Sequence, residues 1–222
     1  MSIAGRAPVD GERLTRDEFL RRCEGFPHLK LAELLEGIVH ISPPVPLAQG
    51  DQHAQICGWL GQYAAFTPGC KASTSVTWLM LEDAPQPDCS LRILPDYGGQ
   101  STVDRDYGSG APELAVEVAL SSAARDLGPK LRLYRAAGVQ EYITVLLQES
   151  RVTWRRLVSG DYRTVDPADD GILRSAVFPG LWLDPAALLG ENVPRLLEIL
   201  ERGLSSPEHQ QFVQALSRRT TT

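Results

Sequence analysis

The 222 residues, 43% hydrophobic and 23% charged, describe a folded domain with a substantial core and short tails, which excludes a disordered or fibrous chain. A formal net charge of −6 argues against a protein that coats nucleic acid, because that role needs many phosphates neutralised; an enzyme with a local basic surface stays open. No apolar run approaches the roughly 20 residues of a membrane span and no signal-peptide pattern opens the chain, so a cytoplasmic protein without a membrane partner is expected.

Thr15 to Glu18 reads as a capping box, with Leu14 and Phe19 as its hydrophobic staple, and predicts a helix over 16–24 that stops at Gly25. Residues 29–35 and 38–41 flank Glu36-Gly37 and predict a hairpin ended by Pro43-Pro44. Within a helix predicted over 48–66, His53, Ile56, Cys57 and Leu60 fall at i, i+3, i+4 and i+7 and share one buried stripe. Segments 74–81 and 89–94 are rich in β-formers, 113–120 alternates with period two, and the polar, glycine-rich stretch 95–110 between them reads as an exposed loop. Pro129 and Gly138 bracket a helix over 130–137. Strands resume at 143–147, 152–158 and 162–165, the last two joined by a turn at Ser159-Gly160-Asp161. Beyond Pro185 the pattern is helical: 193–202, a linker over 203–206, then a last helix opened by Ser206-Pro207 and ending near Ser217.

This order predicts a mixed α/β (α+β) domain with a central mixed sheet flanked by helices. The expected division is a tail over 1–12, a domain over 13–190 and a helical C-terminal extension over 191–222. Cys23, Cys57, Cys70 and Cys89 are irregularly spaced without a C-x-x-C pair, so isolated buried thiols are expected.

Three residues carry the chemistry. On the strand 113–120, Glu117 shares a face with Glu113, Ala115 and Ala119, so small neighbours leave room for an ion beside it; an acid on the wet side of a half-exposed strand is the plainer alternative. Asp88 follows Pro87 at the start of the preceding strand, where a neighbouring strand can bring both carboxylates to one site, although Pro-Asp is also a common turn signal. Asp96, in the other Pro-Asp pair, opens the glycine-rich loop and is read as a turn residue. Two hard oxygen ligands with open positions suit Mg²⁺ or Mn²⁺. Lys130 is one of only three lysines among 22 basic residues, and on its helix it starts the apolar stripe continued by Leu133, Tyr134 and Ala137. An inward ammonium needs a charged partner or a reacting group, and a salt bridge to Asp126 or Glu141 is the structural alternative to catalysis. Between residues 121 and 160, seven basic side chains stand against three acidic ones, which makes Arg125, Arg132 and Arg135 candidate phosphate contacts or simply a solvated face. No serine-hydrolase elbow, P-loop or dinucleotide fingerprint is present.

The run Pro87-Asp88, Pro112 to Val118, Ser121-Ser122, Asp126-Leu127-Gly128, Lys130, Leu133-Tyr134, Ala137-Gly138-Val139 and Glu141-Tyr142 resembles the Uma-two family, a bacterial group within the PD-(D/E)XK nuclease superfamily. Glu33 and Gly37 of the hairpin, Ser42-Pro43-Pro44, His53 and Phe178 to Leu181 extend the resemblance over about 14–189. It implies a restriction-endonuclease-like core in which Asp88 and Glu117 bind a divalent metal, with the Val118 carbonyl as a further ligand. The superfamily lysine two residues after the second acid is replaced here by Ala119, and the resemblance points to Lys130 in its place. Glu33 and His53 become auxiliary candidates. The expected activity is Mg²⁺- or Mn²⁺-dependent hydrolysis of phosphodiester bonds in DNA, with a homodimer as the superfamily's route to cutting both strands. The alternative is a nuclease-like scaffold that binds nucleic acid or a protein partner without cutting.

Overall fold

A computed structural model describes residues 5–29, 31–120 and 122–219. Helix α1 (Arg16–Glu24) starts where Thr15 accepts a hydrogen bond from the Glu18 N–H, and the hairpin β1 (Ala32–Leu35) and β2 (Ile38–Ile41) follows. Helix α2 (Leu47–Ala65) leads to β3 (Cys70–Thr74), β4 (Trp78–Leu79) and β5 (Cys89–Ile93). After β6 (Thr102–Asp104) and β7 (Tyr107–Ser109) come β8 (Leu114–Ala119) and two helices, α3 (Ala123–Asp126) and α4 (Pro129–Ala137). The chain continues through β9 (Glu141–Leu146), β10 (Arg151–Val158), β11 (Asp161–Thr164), β12 (Leu173–Arg174) and β13 (Trp182–Leu183). It closes with α5 (Pro185–Leu189), α6 (Val193–Leu204) and α7 (Pro207–Arg219).

A six-stranded mixed sheet in the order β11-β10-β9-β8-β5-β3 is the spine. Strand β8 lies inside it, antiparallel to β5 and parallel to β9, and all six of its residues are buried. Parallel pairing with both faces covered accounts for that burial, where a half-exposed strand would have left one side wet. On one face Leu114, Val116 and Val118 join Ile56, Trp59 and Leu60 of α2 in the main core, which also takes in Leu196, Leu200 and Leu216 of the last two helices. On the other face Ala115 packs with Leu133 and Tyr134 of α4 and Tyr142 of β9. The small side chain of Ala115 thus lets Leu133 and Tyr134 of α4 pack onto the sheet beside Glu117.

Four expectations change. The strand expected over 74–81 is broken: β3 ends at Thr74, Ser75 has φ +50, Leu81 has φ +51, and only Trp78 and Leu79 pair, as β4 in a separate three-stranded sheet. Left-handed residues other than glycine and asparagine leave no sequence signature. The stretch 95–110 is exposed over Thr102–Asp104 as expected, yet it holds a single 3-10 turn at Pro95–Tyr97, which contains Asp96, and the hairpin β6–β7. Arg105 and Asp106 at φ +48 and +68 make its two-residue turn, a conformation usually marked by asparagine or glycine. Gly108 is required there, because a Cβ would lie 2.4 Å from the Trp78 ring. The linker expected over 203–206 shortens, because α6 runs on through Gly203 to Leu204. Finally, Cys57 and Cys89 are joined in a disulfide, while Cys23 and Cys70 are free. The helix α2 laid across β5 closes the 32-residue separation that made these thiols look isolated.

Candidate active site

The paired strands set the first part of the site. Cys89 lies opposite Val116 in the antiparallel β5–β8 ladder, so extending the register by one residue places Asp88 opposite Glu117. Directly opposed residues of antiparallel strands project to the same face, with Cβ atoms about 4.5–5.5 Å apart. Both side chains line a cleft of about 310 Å³ at the end of these strands, together with Glu33, Arg125, Asp126 and Lys130. Asp88 accepts the Val118 N–H through Oδ2 at 2.7 Å, and its own carbonyl lies 2.8 Å from His53 Nε2. The Val118 carbonyl accepts from Gln49 Nε2 at 2.8 Å, so α2 braces both strands.

Lys130 enters from the first turn of α4, which Pro129 opens and Gly138, at φ +87, terminates. The ammonium is 4% exposed and bridges two acids, with Nζ 2.8 Å from Glu117 Oε1 and 3.0 Å from Glu33 Oε2. Asp126, one turn earlier, is farther away at 3.9 Å, and Glu141 instead accepts from the Ser175 hydroxyl and the Ala176 N–H. Tyr134 adds a second donor to Glu117 Oε1 at 2.8 Å. Glu33, carried in from the hairpin, also accepts from the Gln86 N–H at 3.1 Å and from Arg125 at 3.1 Å. Ser122 donates to Asp126 Oδ2 at 2.7 Å.

Burial is the largest single influence on each group of this network, and it prevails for two of the acids. It pushes the Glu117 carboxyl well above its ordinary value, opposed by Lys130 and reinforced by Asp126, Asp88 and Glu33. Asp126 is raised for the same first reason, against the pull of Lys130 and the Ser122 hydrogen bond. Glu33 goes the other way: burial disfavours its charge, but Lys130, the Gln86 N–H and Arg125 outweigh it and lower the pKa. Burial likewise works against the Lys130 ammonium, yet the surrounding acids, Glu117 first, raise it above the usual lysine range. The geometry agrees with that direction, since Lys130 Nζ donates to both Glu117 and Glu33.

This donor set fits a hard divalent cation. Four acids, Glu33, Asp88, Glu117 and Asp126, share the cleft with two cations, Arg125 and Lys130, so the fully ionised group carries two excess negative charges. No hydrogen bond among the described residues engages Asp88 Oδ1 or Glu117 Oε2, and both remain available as ligands. No three of the described cleft carboxylates bring oxygens within 4.8 Å of one another, so these side chains offer a hard cation two carboxylates at most and leave its other positions to water or backbone oxygen.

Of the residues singled out in the sequence, Asp88, Glu117, Lys130, Glu33, His53 and Arg125 all line this one cleft. Arg132 and Arg135 do not: they pair on the exposed side of α4 with Glu36 and Asp161. Sequence reasoning took Asp126 only as an ion-pair partner and missed the hydroxyl of Tyr134. Their i−4 and i+4 spacing from Lys130 was the available signal. For Gln49 and Gln86, which act through backbone contacts across the fold, there was none.

Residues 16–186 match the model of the Uma2 family, described as a putative restriction endonuclease. Among solved structures, a protein of Anabaena variabilis described as a putative nuclease superposes with a TM-score of 0.57 at 15% identity, covering 84% of this chain and 99% of that one. That likeness shows the shared fold. No curated protein sequence matches. Among the described residues, no helix is long and apolar enough to cross a membrane.

Proposed function

The chain belongs to the Uma2 family, and from that membership we propose a divalent-metal-dependent endonuclease that hydrolyses phosphodiester bonds in DNA. The carrying observation is the Glu117 carboxylate: one oxygen is held by Lys130 and Tyr134, and the other is left for a ligand beside Asp88. Asp88, Glu117 and the Val118 carbonyl would hold Mg²⁺ or Mn²⁺. Bound there, such a cation supplies Lewis acidity for attack by water on phosphorus.

The remaining work falls to side chains of the chain itself. Tyr134 and Lys130 hold Glu117 in one orientation. The Lys130 ammonium faces the cleft in its charged form, where it orients the attacking water and offsets negative charge growing on the phosphoryl oxygens. Arg125, tethered to Glu33 at the cleft, is the phosphate contact nearest the chemistry. His53 and Gln49 fix the backbone at Asp88 and Val118 and serve as positioning residues.

Incubation of the protein with supercoiled, linear and branched DNA in Mg²⁺, Mn²⁺ or EDTA tests this reading. Cleavage in either metal that EDTA removes is the expected result. DNA binding without cutting in any metal would leave the non-cutting scaffold as the function.

A further inference from the structure

A second cluster of metal-ligand side chains lies behind the acidic cleft. His53 and Cys57 are one turn apart on α2 and share a face, and Cys89 reaches them from β5. One ligand atom from each lies within 4.8 Å of the other two, and among the described residues no other group of three His, Cys, Asp or Glu side chains does so. Because successive strand residues point to opposite faces, Cys89 projects toward α2 while Asp88 projects toward α4. The two sulfurs therefore lie on the sheet face opposite the acids while His53 reaches the edge of the acidic cleft, and the two clusters differ in chemistry: soft sulfur and imidazole in one, hard oxygen in the other.

We propose that, in its dithiol state, the trio His53, Cys57 and Cys89 binds a thiophilic divalent metal of the Zn²⁺ class. Zn–S and Zn–N bonds of about 2.3 and 2.0–2.1 Å place tetrahedral ligands roughly 3.5–3.8 Å apart, within the span of this trio. The Cys57 and Cys89 Cα atoms, 6.0 Å apart, sit at a spacing that two thiolates on one ion can bridge without backbone movement. The hydrogen bond between His53 Nε2 and the Asp88 carbonyl, 2.8 Å, is the outer contact that typically orients a ligating imidazole and leaves Nδ1 for the metal. His53 also lines the cleft, which gives an ion a route to the trio.

The disulfide and the metal are alternative occupants of the same two sulfurs. Two molecules of a low-molecular-weight thiol reduce the Cys57–Cys89 bond, delivering two electrons and two protons and leaving as their own disulfide. The incoming metal then displaces the two thiol protons and forms two metal–sulfur bonds. Oxidised protein therefore binds no metal here.

Anaerobic titration of the reduced full chain with Co²⁺ tests the proposal, after a thiol count in denaturant has confirmed that all four cysteines are free. The expected result is a near-ultraviolet thiolate-to-cobalt band with the visible bands of tetrahedral cobalt. These should be absent from oxidised protein, lost in Cys57→Ser and Cys89→Ser, weakened in His53→Ala, and kept in Cys23→Ser, Cys70→Ser and Asp88→Ala. Because the oxygen site produces no sulfur band, the result is independent of whether the protein cuts DNA. A second readout needs no variant: Zn²⁺ should protect Cys57 and Cys89, and neither Cys23 nor Cys70, from alkylation, as located by peptide mass. No sulfur band from protein with four free thiols, or no protection of Cys57 and Cys89, overturns it.

Discussion

Helix α4 carries cations of two kinds within two turns. Lys130 is 4% exposed and shared between Glu117 and Glu33, whereas Arg132 and Arg135 have side chains 56% and 47% exposed and pair with acids that are themselves exposed. The inner ammonium works in a poorly solvated cleft, where each interaction is strong and an unpaired charge is costly. The outer guanidiniums work in water, where a surface pair contributes about 0–1 kcal/mol. Position on the helix, far more than charge, thus separates a catalytic candidate from a solvated face.

The sharpest break of that contrast comes from the acids. Asp88→Ala and Glu117→Ala should abolish metal-dependent cleavage and weaken Mn²⁺ binding measured by calorimetry. Next in size, Lys130→Arg should keep the fold and metal binding but lower kcat on the order of 10²–10³-fold, because a planar guanidinium cannot reproduce a compact donor between two carboxylates. Lys130→Met should also lower the urea midpoint by the equivalent of about 3–5 kcal/mol, having stranded Glu117 and Glu33. A Lys130→Arg enzyme as fast as the parent would make Lys130 a structural cation. Smaller still, Arg125→Ala should weaken DNA binding and reduce the slope of log affinity against log salt by about 1. Replacing Arg132 and Arg135 together should change neither, within about 1 kcal/mol of stability.

Protonation sharpens the same contrast. Burial, then Asp126, Asp88 and Glu33, hold Glu117 well above its ordinary value of 4.5 despite Lys130. A group raised on folding contributes stability that is complete below its unfolded pKa and lost as pH rises through the folded one. In metal-free protein this contribution should fall as pH climbs above the ordinary carboxylate range. Because the cation competes with that proton, Mg²⁺ should raise the melting temperature more at high pH than at low pH. A stabilisation independent of pH would place the ion away from Glu117.

How much of this was legible follows from which interactions are local. The capping box at Thr15, the proline and glycine around α4 and the alternation of β8 depend on near neighbours, and these elements appear close to their expected limits. Lys130 betrayed its inward position through helical spacing and the scarcity of lysine. Residues acting across the fold left no such trace. Gln49 reaches Val118, Gln86 reaches Glu33, and Cys57 reaches Cys89 only because α2 and the hairpin pack where they do. The β6–β7 hairpin was hidden because arginine and aspartate occupy a turn that glycine or asparagine usually announces.

The central claim is that Glu117 divides its carboxylate between Lys130 and a divalent ion shared with Asp88. Anomalous diffraction from crystals grown with Mn²⁺ tests it most directly. The account predicts a manganese peak within about 2.0–2.6 Å of oxygens from Asp88 and Glu117, with Lys130 Nζ still on the other Glu117 oxygen. A saturated crystal with no peak there, or with the ion held by Glu33 and Asp126 instead, would contradict it.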